Sequence, residues 1–169
     1  MNEVIYTIMI QTSARDVPIT IDAESLVGIS LEGIDLHRAL LSDREMMKSN
    51  LKKANLRNAD LSRSQLERAD LSEASVVLCK LDGAILTHAN LSNALCYHAS
   101  FINSDLSGSI FNGAQLHHAN FQGASLMGAN FWGSAGLEEA NLEGALFDSA
   151  TTWPTGYRPE LHGVVQKNR

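Results

Sequence analysis

The chain has 169 residues, of which 44% are hydrophobic and 19% charged, and its formal net charge is −6. This length suits a single domain. An acidic excess without a run of basic residues argues against direct binding to a nucleic-acid backbone, and no apolar stretch approaches the length of a membrane span.

Residues 1–23 are predicted to form strands that cap one end of the fold. The apolar segment 4–10 is typical of a strand, 15–18 of a turn and 19–21 of a second strand. The alternative is that these strands dock onto another chain. The first apolar run is seven residues long and follows Glu3, so it lacks the basic start and the length of a secretory leader, and a cytoplasmic protein is expected.

Residues 24–150 carry a repeat of five residues. In steps of five from Leu26 to Phe131 every position is apolar, and from Ser49 onward a small residue, most often alanine, stands two positions earlier. A period of five fits neither a helix nor a strand, so the chain must turn once per repeat. Four such sides would close a coil of twenty residues, with residues twenty apart stacked at about 4.8 Å. The repeat therefore predicts about six coils.

This pattern resembles the pentapeptide-repeat family, whose motif is A(N/D)LXX, and is similar to its cyanobacterial members. Copies of the motif occur at Ala54-Asn55-Leu56, Ala59-Asp60-Leu61, Ala69-Asp70-Leu71, Ala89-Asn90-Leu91, Ala119-Asn120-Phe121, Ala129-Asn130-Phe131 and Ala140-Asn141-Leu142. The resemblance implies an all-β fold, a right-handed quadrilateral β-helix with capped ends.

Two departures from the repeat predict local irregularities. Arg44 occupies an inward position, and Ser42 with Glu45 forms a capping-box pattern. A short helical excursion near 42–48, or a bulge that turns Arg44 outward, is therefore expected. The repeat also slips by one residue near 134–136, where Gly136 would permit a bulge.

The positions around each central apolar residue have predicted roles at the corners of the coil. Most glycines fall two residues after a centre, where a positive φ costs glycine little. The Asn or Asp just before a centre is expected to bond nearby backbone. Phe101 is predicted to stack under Phe121, and Phe111 under Phe131.

Residues 151–169 break the repeat and are predicted to form a cap and tail. The segment with Trp153, Pro154, Gly156 and Tyr157 resembles the tail that follows the repeats in many cyanobacterial members, and Trp153 is expected to lie over the last coil.

The two cysteines occupy inward positions within the repeat. Cys79 and Cys96 are 17 residues apart rather than 20, so they should not stack as a pair. They are interpreted as buried free thiols of a reducing compartment rather than as a disulfide.

No catalytic set, cofactor site or metal site is predicted. The glycines follow the five-residue repeat rather than forming a phosphate-binding loop. Ser, His and Asp side chains are spread over separate outer faces, and Glu138 with Glu139 is interpreted as a solvated pair. An enzyme is therefore not expected.

One predicted wall of the rod stands out as a candidate partner-binding surface. Stacking by twenty groups an apolar and aromatic set, here called the His/Tyr wall: Val77, Leu78, Leu95, Tyr97, His98, His117 and His118. These residues are either tolerated surface residues or a contact surface for a partner or a second copy. A metal site at His98 and His118 lacks a third ligand. Trp132 is a candidate second contact.

The sequence favours a non-enzymatic scaffold that binds another protein, as a monomer or a homodimer. The family resemblance suggests an alternative, a DNA mimic that binds DNA gyrase as in quinolone-resistance members. A rod of duplex-like girth with an excess of acidic residues could occupy a DNA-binding groove. The modest net charge, the sparse acids of residues 81–157 and the bases of residues 22–80 argue against it.

Overall fold

A computed structural model describes residues 7–13 and 18–167. In the repeat, a parallel bridge occurs every five residues and joins each site to the residue twenty positions later, from Ser30–Asn50 to Gln115–Ala135. Successive twenty-residue coils therefore lie on one another in the predicted register. Each side of a coil contributes one bridging residue rather than an extended strand, because a two-residue turn follows every centre.

The interior is filled by the central and the small residues of the repeat. Leucine centres such as Leu61 and their alanine neighbours are fully buried. Phe101 stacks on Phe121 with ring centroids 4.9 Å apart and planes at 2°, and Phe111 stacks on Phe131 at 4.9 Å and 7°. The predicted aromatic stacking is confirmed. Full burial of each such side chain contributes about 1.5–3 kcal/mol.

Each corner is a tight turn, and a preceding Asn or Asp stabilises many of them. The Ala54 amide donates to the Leu51 carbonyl at 3.0 Å and closes one such turn. Asn130 Oδ1 accepts a bond from the backbone N–H of Trp132 at 3.0 Å, and equivalent bonds recur along the chain. The predicted backbone role of these Asn and Asp residues is confirmed.

The last turn residue has a left-handed backbone whether or not it is glycine. The predicted corner glycines have φ near 67°, as at Gly128 and Gly144. Non-glycine residues at the same place have φ of 55–60°, including Lys48 and Arg68. The sequence analysis placed the glycines correctly and missed the other corners.

The segment around Arg44 follows the regular coil. Residues 41–50, all of them described, show neither the helical excursion nor the bulge predicted near 42–48. The Gln65 amide donates to the Arg44 carbonyl at 2.9 Å, and the Arg44 side chain is exposed. Bonds to the next coil outweigh a capping box worth about 1 kcal/mol. Arg44 lies at the end of the rod, where the residue twenty positions earlier, Glu24, is itself exposed.

The register changes where the sequence repeat slips. Asn120 pairs with Asn141, twenty-one residues later, and Asn130 pairs with Thr152, twenty-two residues later. A 3-10 helix at Leu137–Glu139 takes up the first extra residue, and Gly136 precedes it with φ 76°. The local backbone here is a helical turn rather than a simple bulge.

A hairpin covers the N-terminal end of the coils. Strand β1 (Thr7–Ile10) pairs antiparallel with β2 (Ile19–Asp22), and Ile10 is fully buried. The chain then pairs with the first coil, since the Leu40 amide donates to the Gln11 carbonyl at 2.7 Å. The other predicted cap residues, 1–6 and 14–17, lie outside the described residues.

The C-terminal end is covered by aromatic rings and a short parallel pair. Trp153 stacks on Phe131 at 5.3 Å and 6°, so it lies over the last phenylalanine of its column as predicted. Tyr157 stacks on Trp153 in turn. Strand β3 (Leu146–Phe147) pairs with β4 (Val165–Gln166). A second 3-10 helix spans Pro159–Leu161, and neither helix in the described ranges could cross a membrane.

Candidate functional site

The His/Tyr wall is built from equivalent positions of successive coils. The Leu78 amide donates to the Tyr97 carbonyl at 3.0 Å, and the His98 amide donates to the His117 carbonyl at 3.1 Å. Leu95 bridges to Ser75 on one side and to Gln115 on the other. The coil ladder therefore brings the predicted residues together in adjacent rows, where a row is the set of outward residues that one coil contributes to a wall.

The centre of this wall is apolar and open to solvent. Leu78 is 48% exposed and Leu95 is 40% exposed, whereas Val77 and Tyr97 are half-buried against neighbouring rows. Single exposed apolar residues are ordinary on a protein surface, but adjacent ones form a patch of the kind found at contact sites.

The aromatic side chains of the wall stack in two columns along the rod. The Tyr97 and His117 rings are 5.5 Å apart with planes at 12°, and the His98 and His118 rings are 4.9 Å apart at 18°. Stacking of this kind fixes the rings and lowers the conformational entropy they would lose on binding.

Glu139 joins the site, although the sequence analysis did not place it there. Its Oε1 lies 3.2 Å from Nδ1 of His117, and its Oε2 lies 3.2 Å from Nε2 of His118. One carboxylate thus contacts a ring nitrogen of both histidines. The sequence feature that could have placed Glu139 here is the one-residue slip in the repeat. When the register is shifted by one residue after the slip, Glu138 and Glu139 fall in the columns of His117 and His118.

Gly136 makes room for this arrangement. A Cβ at Gly136 would lie 2.6 Å from the backbone nitrogen of His117 and would overlap its ring. The left-handed backbone at this residue also starts the helical turn that carries Glu139. The histidine pair and the slip in the repeat are therefore parts of one local structure.

Charge is graded along the wall. Arg38 and Arg57 are exposed in its first rows, and Glu138 and Glu139 are exposed in its last row. Neither arginine forms an ion pair within residues 7–13 and 18–167, and the same holds for Glu138. Arg38 and Arg57 outnumber Asp35, the one acid of these first rows, so the wall has a basic end, an apolar centre and an acidic end.

The histidines do not form a metal centre in this structure. His98 and His118 stack face to face, which points their ring nitrogens along the surface rather than at a common point. Across the described part of the chain no three His, Cys, Asp or Glu side chains are grouped to hold a metal ion. Trp132, 62% exposed, belongs to a different wall, because its centre Phe131 stacks on Phe111 rather than on Leu116.

Both cysteines are free and buried in the core. Burial raises the pKa of the Cys96 thiol to about 12 and that of Cys79 well above its usual value. Nucleophilic cysteines instead have a lowered pKa and partial exposure. The described surface contains no pocket.

Comparison with known proteins identifies the repeat. The profile described as pentapeptide repeats matches in eight copies, covering residues 25–63, 49–87, 64–95 and 94–133. No curated protein sequence matches the chain.

Solved structures of repeat proteins resemble this one. HetL from the cyanobacterium Nostoc sp. strain PCC 7120, involved in heterocyst differentiation regulation, is 24% identical with a TM-score of 0.51, over 82% of this chain and 81% of HetL. Rfr23 from the cyanobacterium Cyanothece 51142 is 29% identical with a TM-score of 0.43, over 75% and 89% of the two chains. QnrB1, a plasmid-mediated fluoroquinolone resistance protein, is 22% identical with a TM-score of 0.49, over 88% and 87%. The similarity to HetL supports a common fold.

Proposed function

Because the chain belongs to the pentapeptide repeat family, we propose that it is a non-enzymatic scaffold that binds another protein through the His/Tyr wall. The framework is a right-handed quadrilateral β-helix of about six coils over residues 24–150, with caps formed by 1–23 and 151–169. It acts in the cytoplasm, where Cys79 and Cys96 remain reduced thiols.

One observation carries this proposal: the wall combines exposed apolar side chains with immobilised aromatic rings. Leu78 and Leu95 provide the exposed apolar area, and the stacked Tyr97 and His117 provide a rigid aromatic surface. Binding hot spots favour tyrosine at the centre of a patch, surrounded by residues that exclude water. Because the coil ladder holds these residues, little ordering is required when a partner binds.

A photo-crosslinking residue in place of Tyr97 tests the proposal in living cells. A discrete protein adduct is expected from position 97. The matched control is the same substitution at Ile102, which is also half-buried and occupies the equivalent position in the next pentapeptide, on a different wall. Adding Val77→Ser and Leu78→Ser to the position-97 protein should abolish the adduct while leaving the crosslinker in place.

Two outcomes would overturn this function. Equal adducts from positions 97 and 102 would show nonspecific collision, and an adduct that persists after both serine substitutions would exclude the apolar centre as the binding determinant. Circular dichroism of each variant checks that the coil remains folded.

A DNA mimic that binds DNA gyrase is the second candidate. The absence of Lys and Arg from residues 81–157 favours it. The acids there do not form one stripe, however: Asp82 and Asp105 lie on different walls, and Asp148 is buried with its Oδ1 accepting from the Gly128 amide at 2.9 Å. We expect the protein to leave DNA supercoiling by purified gyrase unchanged, and inhibition at stoichiometric concentration would favour the mimic.

A further inference from the structure

We propose that a second copy of this chain covers the His/Tyr wall, with the two rods antiparallel. This inference rests on the proposed function and names its partner. The observation behind it is the graded charge of the wall, with Arg38 and Arg57 at one end, Glu138 and Glu139 at the other, and the apolar residues between them.

A two-fold axis that lies in the plane of the wall and perpendicular to the rod makes this surface self-complementary. Such an axis reverses the direction of the rod, so the basic end of each copy faces the acidic end of the other. With the axis at the row of Tyr97, the row of Arg57 lies two rows to one side and the row of Glu138 two rows to the other. Each Arg57 then faces Glu138 of the second copy, and the two Tyr97 rings meet at the centre.

Rods that run in the same direction do not give this match. A two-fold axis along the rod would place Arg57 against Arg57 and Glu138 against Glu138, and like charges in opposition weaken an interface. Among the described residues the exposed arginines and Glu138 form no ion pair, and the antiparallel arrangement gives Arg57 and Glu138 partners of opposite charge.

The shape of the wall supports rigid docking. The wall consists of short turns and single bridging residues in a regular ladder, with its rings stacked in columns. From the row of Arg57 to the row of Glu138 is four steps, about 19 Å. A contact of this length and one wall in width is at the small end of specific interfaces, so dissociation in the micromolar range is expected.

Charge reversal tests both the surface and the orientation. Arg57→Glu and Glu138→Arg, each alone, place like charges opposite each other twice in an antiparallel dimer, and each should weaken dimerisation about tenfold. The double variant R57E/E138R carries both changes in one chain and so restores opposite charges at both contacts between the two copies. Its dissociation constant should therefore return close to that of the wild type. In a parallel dimer the double variant would remain repulsive at both contacts.

Sedimentation-velocity ultracentrifugation over about 1–300 µM measures the dissociation constant of each variant. Added salt should weaken the wild-type dimer, because salt screens attraction between surface charges. Arg68→Glu is the control, because it makes the same charge change at an exposed corner outside the wall. The inference is overturned if the wild type stays monomeric throughout, if R57E/E138R binds as weakly as the single variants, or if Arg68→Glu weakens dimerisation equally.

The outcomes also separate this inference from the broader function. A monomeric wild type whose position-97 crosslink captures a different protein excludes the second copy and leaves the proposed function standing. A dimer that Val77→Ser and Leu78→Ser do not affect would place the interface elsewhere and would exclude this wall as the contact between copies.

Discussion

The two halves of the stack of coils share one backbone conformation but differ in the residues at their corners and in their interior. Between Arg38 and Leu78 every corner is a non-glycine residue with a left-handed backbone, and most of these residues are charged. From Gly83 onward glycine returns at many corners, and Lys and Arg are absent as far as residue 157. The centres change too, from leucine to alternating phenylalanine.

The contrast shows that the inward residues determine the fold, whereas the corners carry the surface chemistry at a cost in free energy. A left-handed backbone costs an ordinary residue roughly 1–2 kcal/mol, and glycine nearly nothing. The first half therefore bears more backbone strain than the second. The second half gains the stacked rings of Phe101, Phe111, Phe121 and Phe131.

Thiol labelling offers the largest effect with which to compare the halves. Burial raises the pKa of Cys96 to about 12 and raises that of Cys79 well above its usual value, so both thiols stay protonated at pH 8. Relative to an exposed cysteine the thiolate fraction of Cys96 falls roughly 10³-fold. Labelling with iodoacetamide should require opening of the coil, with Cys79 in the more strained half reacting first. Fast labelling of both thiols without denaturant would contradict this prediction.

Truncation of one core residue in each half compares how they are packed. Phe121→Ala should lower the free energy of unfolding by about 3–5 kcal/mol, because it removes a ring from the stack and leaves a cavity. Leu61→Ala in the first half should lower it by a smaller amount within about 2–5 kcal/mol, because it removes fewer atoms from the core. Urea unfolding followed by circular dichroism measures both. A smaller loss for Phe121→Ala than for Leu61→Ala would show that the aromatic stack adds no stability.

Substitution of Arg68 and Gly128, two corner residues of one column, tests whether the first half bears more backbone strain than the second. Arg68→Gly should raise the free energy of unfolding by about 0.5–1 kcal/mol by relieving a left-handed arginine. Gly128→Ala should lower it by about 1 kcal/mol through backbone strain, since a Cβ there would have no neighbour closer than 3.9 Å. Thermal melting of both variants gives the comparison. Opposite signs are the expected result, and equal signs would mean that corner strain is not what distinguishes the halves.

Removing the ion pair between Arg63 and Asp43 in the first half should have the smallest effect on stability. Arg63 donates from Nε to Asp43 Oδ1 at 2.8 Å and from Nη2 to Oδ2 at 2.6 Å, and this hydrogen bonding lowers the pKa of the exposed Asp43 carboxyl. Because the pKa of Asp43 is lower in the folded than in the unfolded state, its carboxylate stabilises the fold at any pH above the unfolded-state pKa. That stabilisation is lost as the pH falls through the folded-state pKa. Asp43→Asn should therefore cost a little stability at pH 7 and nothing at the acidic end of a titration from pH 6 to 2.5. A pH-independent difference would assign the loss to another cause.

The sequence predicted the coil well because every repeat meets the same surroundings. Apolar centres such as Leu56 and Phe121 must all face one narrow interior, so their spacing determines the twenty-residue register. Where local and long-range preferences compete, the pattern was insufficient. At Arg44 a capping box predicted a helix or bulge, but bonds to the neighbouring coil keep the regular backbone.

The candidate site was only partly accessible from sequence. Stacking by twenty brought Tyr97 and His117 into one column, and the structure shows their rings stacked. The contact of Glu139 with both histidines depends on how the extra residue near Gly136 is accommodated, and a helical turn and a bulge would place that carboxylate differently. Whether the wall binds a partner stays a prediction.

The ladder of coils also fixes the distances along the rod, because residues on one wall can be separated only by whole steps of one coil. Removing or duplicating twenty residues within the regular part would shift everything beyond it by one step of about 4.8 Å and leave each side chain on its own wall. The separation of Arg57 from Glu138 is therefore a whole number of steps, set by gene length rather than by side-chain adjustment. A surface that recognises both ends of the wall has to match that number.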